Sequence, residues 1–216
     1  MKDETAYYSP EEERMNYLTH GFSFLVSLAG LGILVTKGWS HTDPYVLPGV
    51  VIFGVGLAMC FLSSTVYHWV SEPRLKYKLR LVDHLCIYLL IASSYTPFAL
   101  VNLRDSWGIP VFFTIWGLAI FGSIFKFMIR KQLQKYEFVD ALFYVAMGCV
   151  ALLFLKPIVE NIPVNGILLL SLGGAAYIIG VFFYLSKTIP YNHAIWHLFV
   201  MAGGAFHFAA VWGYVG

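Results

Sequence analysis

Residues 45–67, YVLPGVVIFGVGLAMCFLSSTVY, decide the fold. The stretch holds no Asp, Glu, Lys or Arg. Its length matches the ~20 residues that an α-helix needs to cross the ~30 Å hydrocarbon layer of a bilayer. Its apolar residues run continuously instead of alternating at every second position, so it reads as a helix and not as a barrel strand. Six further stretches share this character: 19–36, 81–100, 109–129, 138–155, 163–185 and 195–215. The first and fifth are short, and are expected to stand upright or to thin the bilayer locally. Pro44, Pro73, Pro110, Pro157 and Pro190 punctuate the connections. The expected fold is all-α, a polytopic seven-transmembrane helix bundle. A polar arm over residues 1–18 precedes one membrane domain over residues 19–216.

Composition agrees. The chain is 59% hydrophobic and 12% charged, with a mean hydropathy of +0.71. A soluble domain carries roughly 25% charged residues, so these charges are too few to coat a globule of 216 residues. The net charge of +2 gives no basic surface for nucleic acid, and none is expected as a partner. Cys60, Cys86 and Cys149 all fall inside apolar stretches, where buried, unreactive thiols are expected rather than a disulfide framework. The acidic opening MKDETAYYSPEEER does not lead into a signal-peptide apolar region, so the first span is expected to insert and remain. Eleven of the 14 Lys and Arg residues fall on the side of the N-terminal arm, leaving Lys37, Arg104 and Lys156 opposite. Positive charge is retained inside. The N-terminus is therefore expected in the cytoplasm, the C-terminus outside, and the protein in the cell membrane as a multi-pass chain.

Ionisable groups within spans cost about 2.5–3.5 kcal/mol on insertion scales and need a partner or a function. Here they gather at one membrane face. His20 opens the first span, His68 closes the second, Asp83 opens the third, and His193 with His197 open the seventh. The motif HAIWH puts His193 and His197 at i and i+4 on one helical face, as two ligands of one metal require. In SSTVYH, Ser64 lies one turn deeper than His68, and Glu13, Asn16 and His20 in ERMNYLTH form a third polar stripe. Three imidazoles without a thiolate suit Zn²⁺ with a fourth position left for water. Asp83 is the carboxylate placed to act as general base, and Ser64 to orient a ligand or help stabilise an oxyanion.

Simpler readings stand beside these. Asp83 is also an acid at a helix N-terminus, where it could serve as a cap. Glu13 and His20 divide evenly between support of the metal ligands and capping. Asp140 reads as a cap of the fifth span and His41 as a loop residue with no partner. His84 lies 100° around the helix from Asp83 and is expected to face elsewhere. His207 lies ~15 Å along the helix from His197, too far to share its site. Pro97 is expected to kink or end the third span. Gly173, Gly174, Gly203 and Gly204 are expected to admit close helix packing. Trp69, Trp107, Trp196 and Tyr191 are expected in an interfacial belt.

Taken in order, the patterns resemble those of the hemolysin III branch of the progestin and adipoQ receptor (PAQR) family. Glu13, Asn16 and His20 match E-x2-N-x3-H. Ser64, His68 and Asp83 match S-x3-H with a following Asp, and His193 with His197 match H-x3-H. The resemblance covers about residues 13–215. It implies a seven-helix bundle with zinc on His68, His193 and His197, and with Asp83 and Ser64 beside a metal-bound water. It also implies hydrolysis of a lipid amide or ester, as in ceramidase-like relatives, and a part in membrane-lipid homeostasis with membrane lipids as partners. Two alternatives come with it: a pore, as the haemolytic name suggests, and a lipid-sensing receptor in which zinc is structural. The short arm and small outer loops depart from the animal hormone receptors.

Overall fold

The computed structural model describes residues 8–133 and 135–216. Residues 1–7, and with them the first half of the acidic opening and Lys2 of the charge count, lie outside the described residues. The helices are α1 (Pro10–Trp39), α2 (Val46–Trp69), α3 (Pro73–Leu100), α4 (Gly108–Met128), α5 (Glu137–Gly148), α6 (Leu155–Asn161), α7 (Val164–Leu185) and α8 (Asn192–Tyr214). A 3₁₀ segment, Cys149–Phe154, joins α5 to α6, so that Glu137–Asn161 forms one interrupted span. Among the described residues, seven segments are long and apolar enough to cross a membrane. The protein is a multi-pass membrane protein.

Helix α1 begins well before the apolar stretch that announced it. Ser9 caps it: the Glu12 amide donates to Ser9 Oγ at 3.2 Å, and the Glu12 carboxylate accepts from the Ser9 amide at 2.9 Å. Pro10 follows in the first turn, where its missing N–H costs nothing. The described half of the expected arm is therefore helical, and the first span belongs to a 30-residue helix rather than a short one. The inward face of α1 carries Asn16, His20, Ser23 and Ser27, while Leu18, Phe22 and Leu25 point outward. In lipid the outer face needs no polar groups, so the polar stripe is free to serve the interior.

Two prolines bear on where spans end. Helix α3 runs through Pro97 and ends one turn later at Leu100. Pro157, expected in a connection, lies inside α6, so the fifth span extends to Asn161.

Helices α1, α2, α3 and α8 pack closely, as do α7 and α8. A Cβ on Gly203 would meet the Tyr177 ring at 2.6 Å, and one on Gly173 would strike His207. Gly180 serves the same purpose against Trp196 (2.6 Å), whereas Gly174 has open space around its Cα and lines a cavity instead. Trp69 and Trp107 are exposed near helix ends as a belt requires, but Trp196 is packed between Gly180 and Tyr184.

Candidate metal centre

The first turns of α1, α3 and α8 and the last turn of α2 meet at one end of the bundle. His68, His193 and His197 are each at most 7% exposed, and one ring nitrogen from each lies within 4.8 Å of the others. His193 and His197 come together because they share a face of α8, and His68 meets them from the C-terminal turn of α2.

Hydrogen bonding fixes how two of these rings are protonated. His68 Nδ1 is 2.6 Å from Glu13 Oε2. A carboxylate in an ion pair accepts only, so Nδ1 carries the hydrogen and Nε2 keeps its lone pair. His197 Nδ1 is 3.2 Å from the Asn16 carbonyl and 3.1 Å from Thr19 Oγ1, whose own hydrogen goes to backbone carbonyls. Its Nε2 is therefore also left with a lone pair. His68 Nε2 faces His193 Nε2 at 3.1 Å. Tetrahedral Zn–N bonds of 2.0–2.1 Å would place two ligand nitrogens roughly 3.3 Å apart. The His68–His193 spacing is close to that value, and the three imidazoles together could hold a metal ion.

His20 and Asn16 approach these histidines from α1. The His20 ring stacks on His197 with centroids 3.5 Å apart and planes 13° from parallel, and it meets Phe61 edge-on. Asn16 is fully buried and presents Nδ2 3.5 Å from His68 Nδ1. Ser64 and Asp83 are both buried and line the same cavity.

These groups open onto a cavity of about 230 Å³. His20, Ser64, Asp83, His193 and His197 line one end of it. Leu103, Val111, Phe154 and Ile162 line the other, so the polar wall is confined to one end of an apolar slot. A second, polar cavity shares Asp83, His84, Tyr184 and His193 with the first. His84 thus does not face away from Asp83: the cavities wrap around this part of α3 and both side chains line them. His207 lines the slot beside Tyr177, away from the three clustered histidines.

Asp140 is not a simple cap. It forms an ion pair with Lys126 between α5 and α4, with both side chains at most 1% exposed. His41 has a local partner, the Asp43 amide at 3.1 Å. Sequence patterns also passed over Thr19, and they passed over Tyr8, whose ring lies 4.9 Å from His193 and 5.9 Å from His68. Lys76, counted only as a loop charge, is paired with Glu13. Thr19 stands three residues after Asn16 on the stripe already recognised, which is the signal that could have found it.

A family model described as "Haemolysin-III related" matches residues 8–208. The chain belongs to the hemolysin III family. It is 38% identical over 206 residues to "Hemolysin-3" of Bacillus cereus, spanning 95% of this chain and 92% of that one. It is 33% identical over 217 residues to human "Monocyte to macrophage differentiation factor", spanning 94% and 84%, and this likeness joins it to the wider PAQR family. A more distant relative is "Heptahelical transmembrane protein 1" of Arabidopsis thaliana, 26% identical over 234 residues and matched over 69% of its length. The hemolysin III chain described here thus carries its three buried histidines within a matched region that also includes Ser64 and Asp83.

Proposed function

We propose that this protein is a zinc-dependent hydrolase of a lipid amide or ester that serves membrane-lipid homeostasis. The observation that carries the reading is a cluster of three buried imidazoles beside an apolar slot whose wall holds His193 and His197 together with Ser64 and Asp83. His68, His193 and His197 would hold the ion and leave a coordination position open toward the cavity. Zinc, when bound, supplies Lewis acidity that makes water a nucleophile near neutral pH and polarises a carbonyl. Asp83 would take the proton from the attacking water, with Ser64 orienting the carboxylate beforehand and turning its one O–H to the reacting oxygen once Asp83 carries the proton. The slot would exclude bulk water and accept an acyl chain, aligning the carbonyl with the polar end.

The excess of Lys and Arg on the arm side supports a cytoplasmic N-terminus and hence a site reached from the cytoplasmic leaflet. A through-going pore gains no support from the lining, because the far part of the slot offers aliphatic and aromatic side chains instead of charges. The test uses protein purified in detergent, with zinc content and turnover of ceramides and acyl esters measured beside His193→Ala and Asp83→Asn. Expected are stoichiometric zinc in the wild type, its loss in His193→Ala, and zinc retained with turnover lost in Asp83→Asn. Wild-type protein without stoichiometric zinc sinks the proposal. Tight lipid binding without turnover would turn it into a lipid sensor.

A further inference from the structure

Lys76 belongs to none of the sequence patterns and takes no part in the reaction proposed above, yet it is buried beside the histidines. It lies in the first turn of α3, 8% exposed. Its Nζ is 3.0 Å from Glu13 Oε1 and donates to the carbonyls of Tyr67 at 3.1 Å and Val70 at 3.2 Å. An ammonium has three N–H donors and no acceptor, so these contacts use all of them. They reach the start of α1, the last turn of α2 and the residue that follows it. The Tyr67 ring lies 4.8 Å below the same ammonium. Glu13 divides its carboxylate in turn: Oε1 meets Lys76 and Oε2 meets His68 Nδ1.

We infer that Lys76 is a positioning residue for the metal site: by pinning Glu13 it fixes the tautomer and orientation of His68 and so sets zinc affinity. The inference rests on the metal reading above and extends it to a residue that touches none of the three histidines. The physical reason lies in what would replace Glu13. The Glu13 side chain is 16% exposed and could turn toward water if nothing held it. The remaining neighbour of His68 Nδ1 is Asn16 Nδ2 at 3.5 Å, and an amide nitrogen donates. In the amide orientation of the structure, that partner favours the opposite tautomer, with the hydrogen on Nε2. A hydrogen there occupies the lone pair that ligation needs. Lys76 is suited to prevent this because two backbone carbonyls anchor it to α2, the helix that carries His68.

The test titrates metal-stripped protein in detergent with Zn²⁺, and with Co²⁺ to read coordination from its absorption. Lys76→Met is expected to weaken zinc binding about 10- to 100-fold, the range found when partners of metal-bound histidines are removed. Lys76→Arg keeps the charge, but its planar fork matches three divergent acceptors poorly; a smaller loss is expected, and this variant carries the test if Lys76→Met fails to fold. Because Lys76 acts through Glu13, Lys76→Met combined with Glu13→Gln should bind no more weakly than Glu13→Gln alone. A merely structural lysine would instead lower the melting temperature of the metal-free protein and leave zinc affinity untouched. Wild-type affinity in both Lys76 variants, or losses that add in the double variant, would overturn the inference while the metal reading stood. Wild-type protein that binds no zinc overturns both.

Discussion

The two ends of the bundle are held together by different chemistry. At the histidine end, charge is buried: Lys76 with Glu13, Lys126 with Asp140, and three imidazoles that share one small volume. At the opposite end the polar contacts are half exposed and mostly satisfy backbone. Lys37 Nζ donates to the carbonyls of Trp212 and Val215 at 2.6 and 2.8 Å, closing the C-terminus of α8 as a cation should. Asn102 Nδ2 reaches the Tyr214 carbonyl at 2.9 Å, and Arg104 grips both oxygens of Asp43. One end bears the cost of desolvating charge where chemistry is proposed to happen, whereas the other ties loop to helix end without it.

The sharpest way to break this contrast is to remove one partner of the buried pair. Lys126→Met leaves the Asp140 carboxylate, 1% exposed, without its cation. A loss of about 3–5 kcal/mol is expected, because the remaining charge is buried and uncompensated. Lys126→Met combined with Asp140→Leu should recover most of that loss, since replacing a whole buried pair by apolar side chains is often neutral. Unfolding in mixed detergent measures both. A single variant as stable as the wild type would mean that water reaches the pair, and the histidine end would then resemble its opposite.

Metal removal comes next in size and sharpens the comparison, because it should act on one end only. At a free zinc concentration about 100 times the dissociation constant, binding adds about 2.7 kcal/mol to stability, and chelation takes it away. Hydrogen exchange should then quicken in the first turns of α1 and α8 and the last turn of α2, where the ligands and their partners sit. The connection between α3 and α4, which follows Leu100, should exchange as before. Equal quickening at both ends would show that zinc holds the whole bundle and has no local role.

The same contrast explains what could be read from sequence. The seven spans were legible because a bilayer demands long uninterrupted apolar runs, and helical spacing alone put His193 over His197 and Ser64 beneath His68. Pairing between helices left no such trace. Lys126 and Asp140 lie on different helices, so Asp140 read as a cap and Lys126 as one more loop charge. Lys76 was likewise only a vote for orientation: the Ser9–Glu12 capping box with Pro10 marks the start of α1 in the sequence, but nothing in a linear pattern shows that Glu13 meets Lys76. The start of α1 depends on a capping box outside the apolar window, and the 3₁₀ break at Cys149–Phe154 has no charge or proline of its own to announce it.

The smallest effect belongs to the opposite end and depends on pH. The Tyr45 amide donates to Asp43 at 2.9 Å, and with Arg104 it holds the Asp43 carboxyl below the ordinary carboxylate range. The unfolded chain binds that proton first as pH falls, at about pH 3.9. The clamp's contribution is therefore fully present above that value and is lost as pH drops through the lower, folded-state value. The melting-temperature difference between wild type and Asp43→Asn should accordingly stay constant from neutral pH down to about pH 4 and shrink below it. Salt should reduce the difference as well, because Arg104 is about a third exposed and its charge is screened. A difference that persisted unchanged into acid would assign the clamp to neutral hydrogen bonds such as that from Tyr45. The Asp43 clamp would then owe nothing to charge, and the contrast between the two ends would be wider than the ion pair suggests.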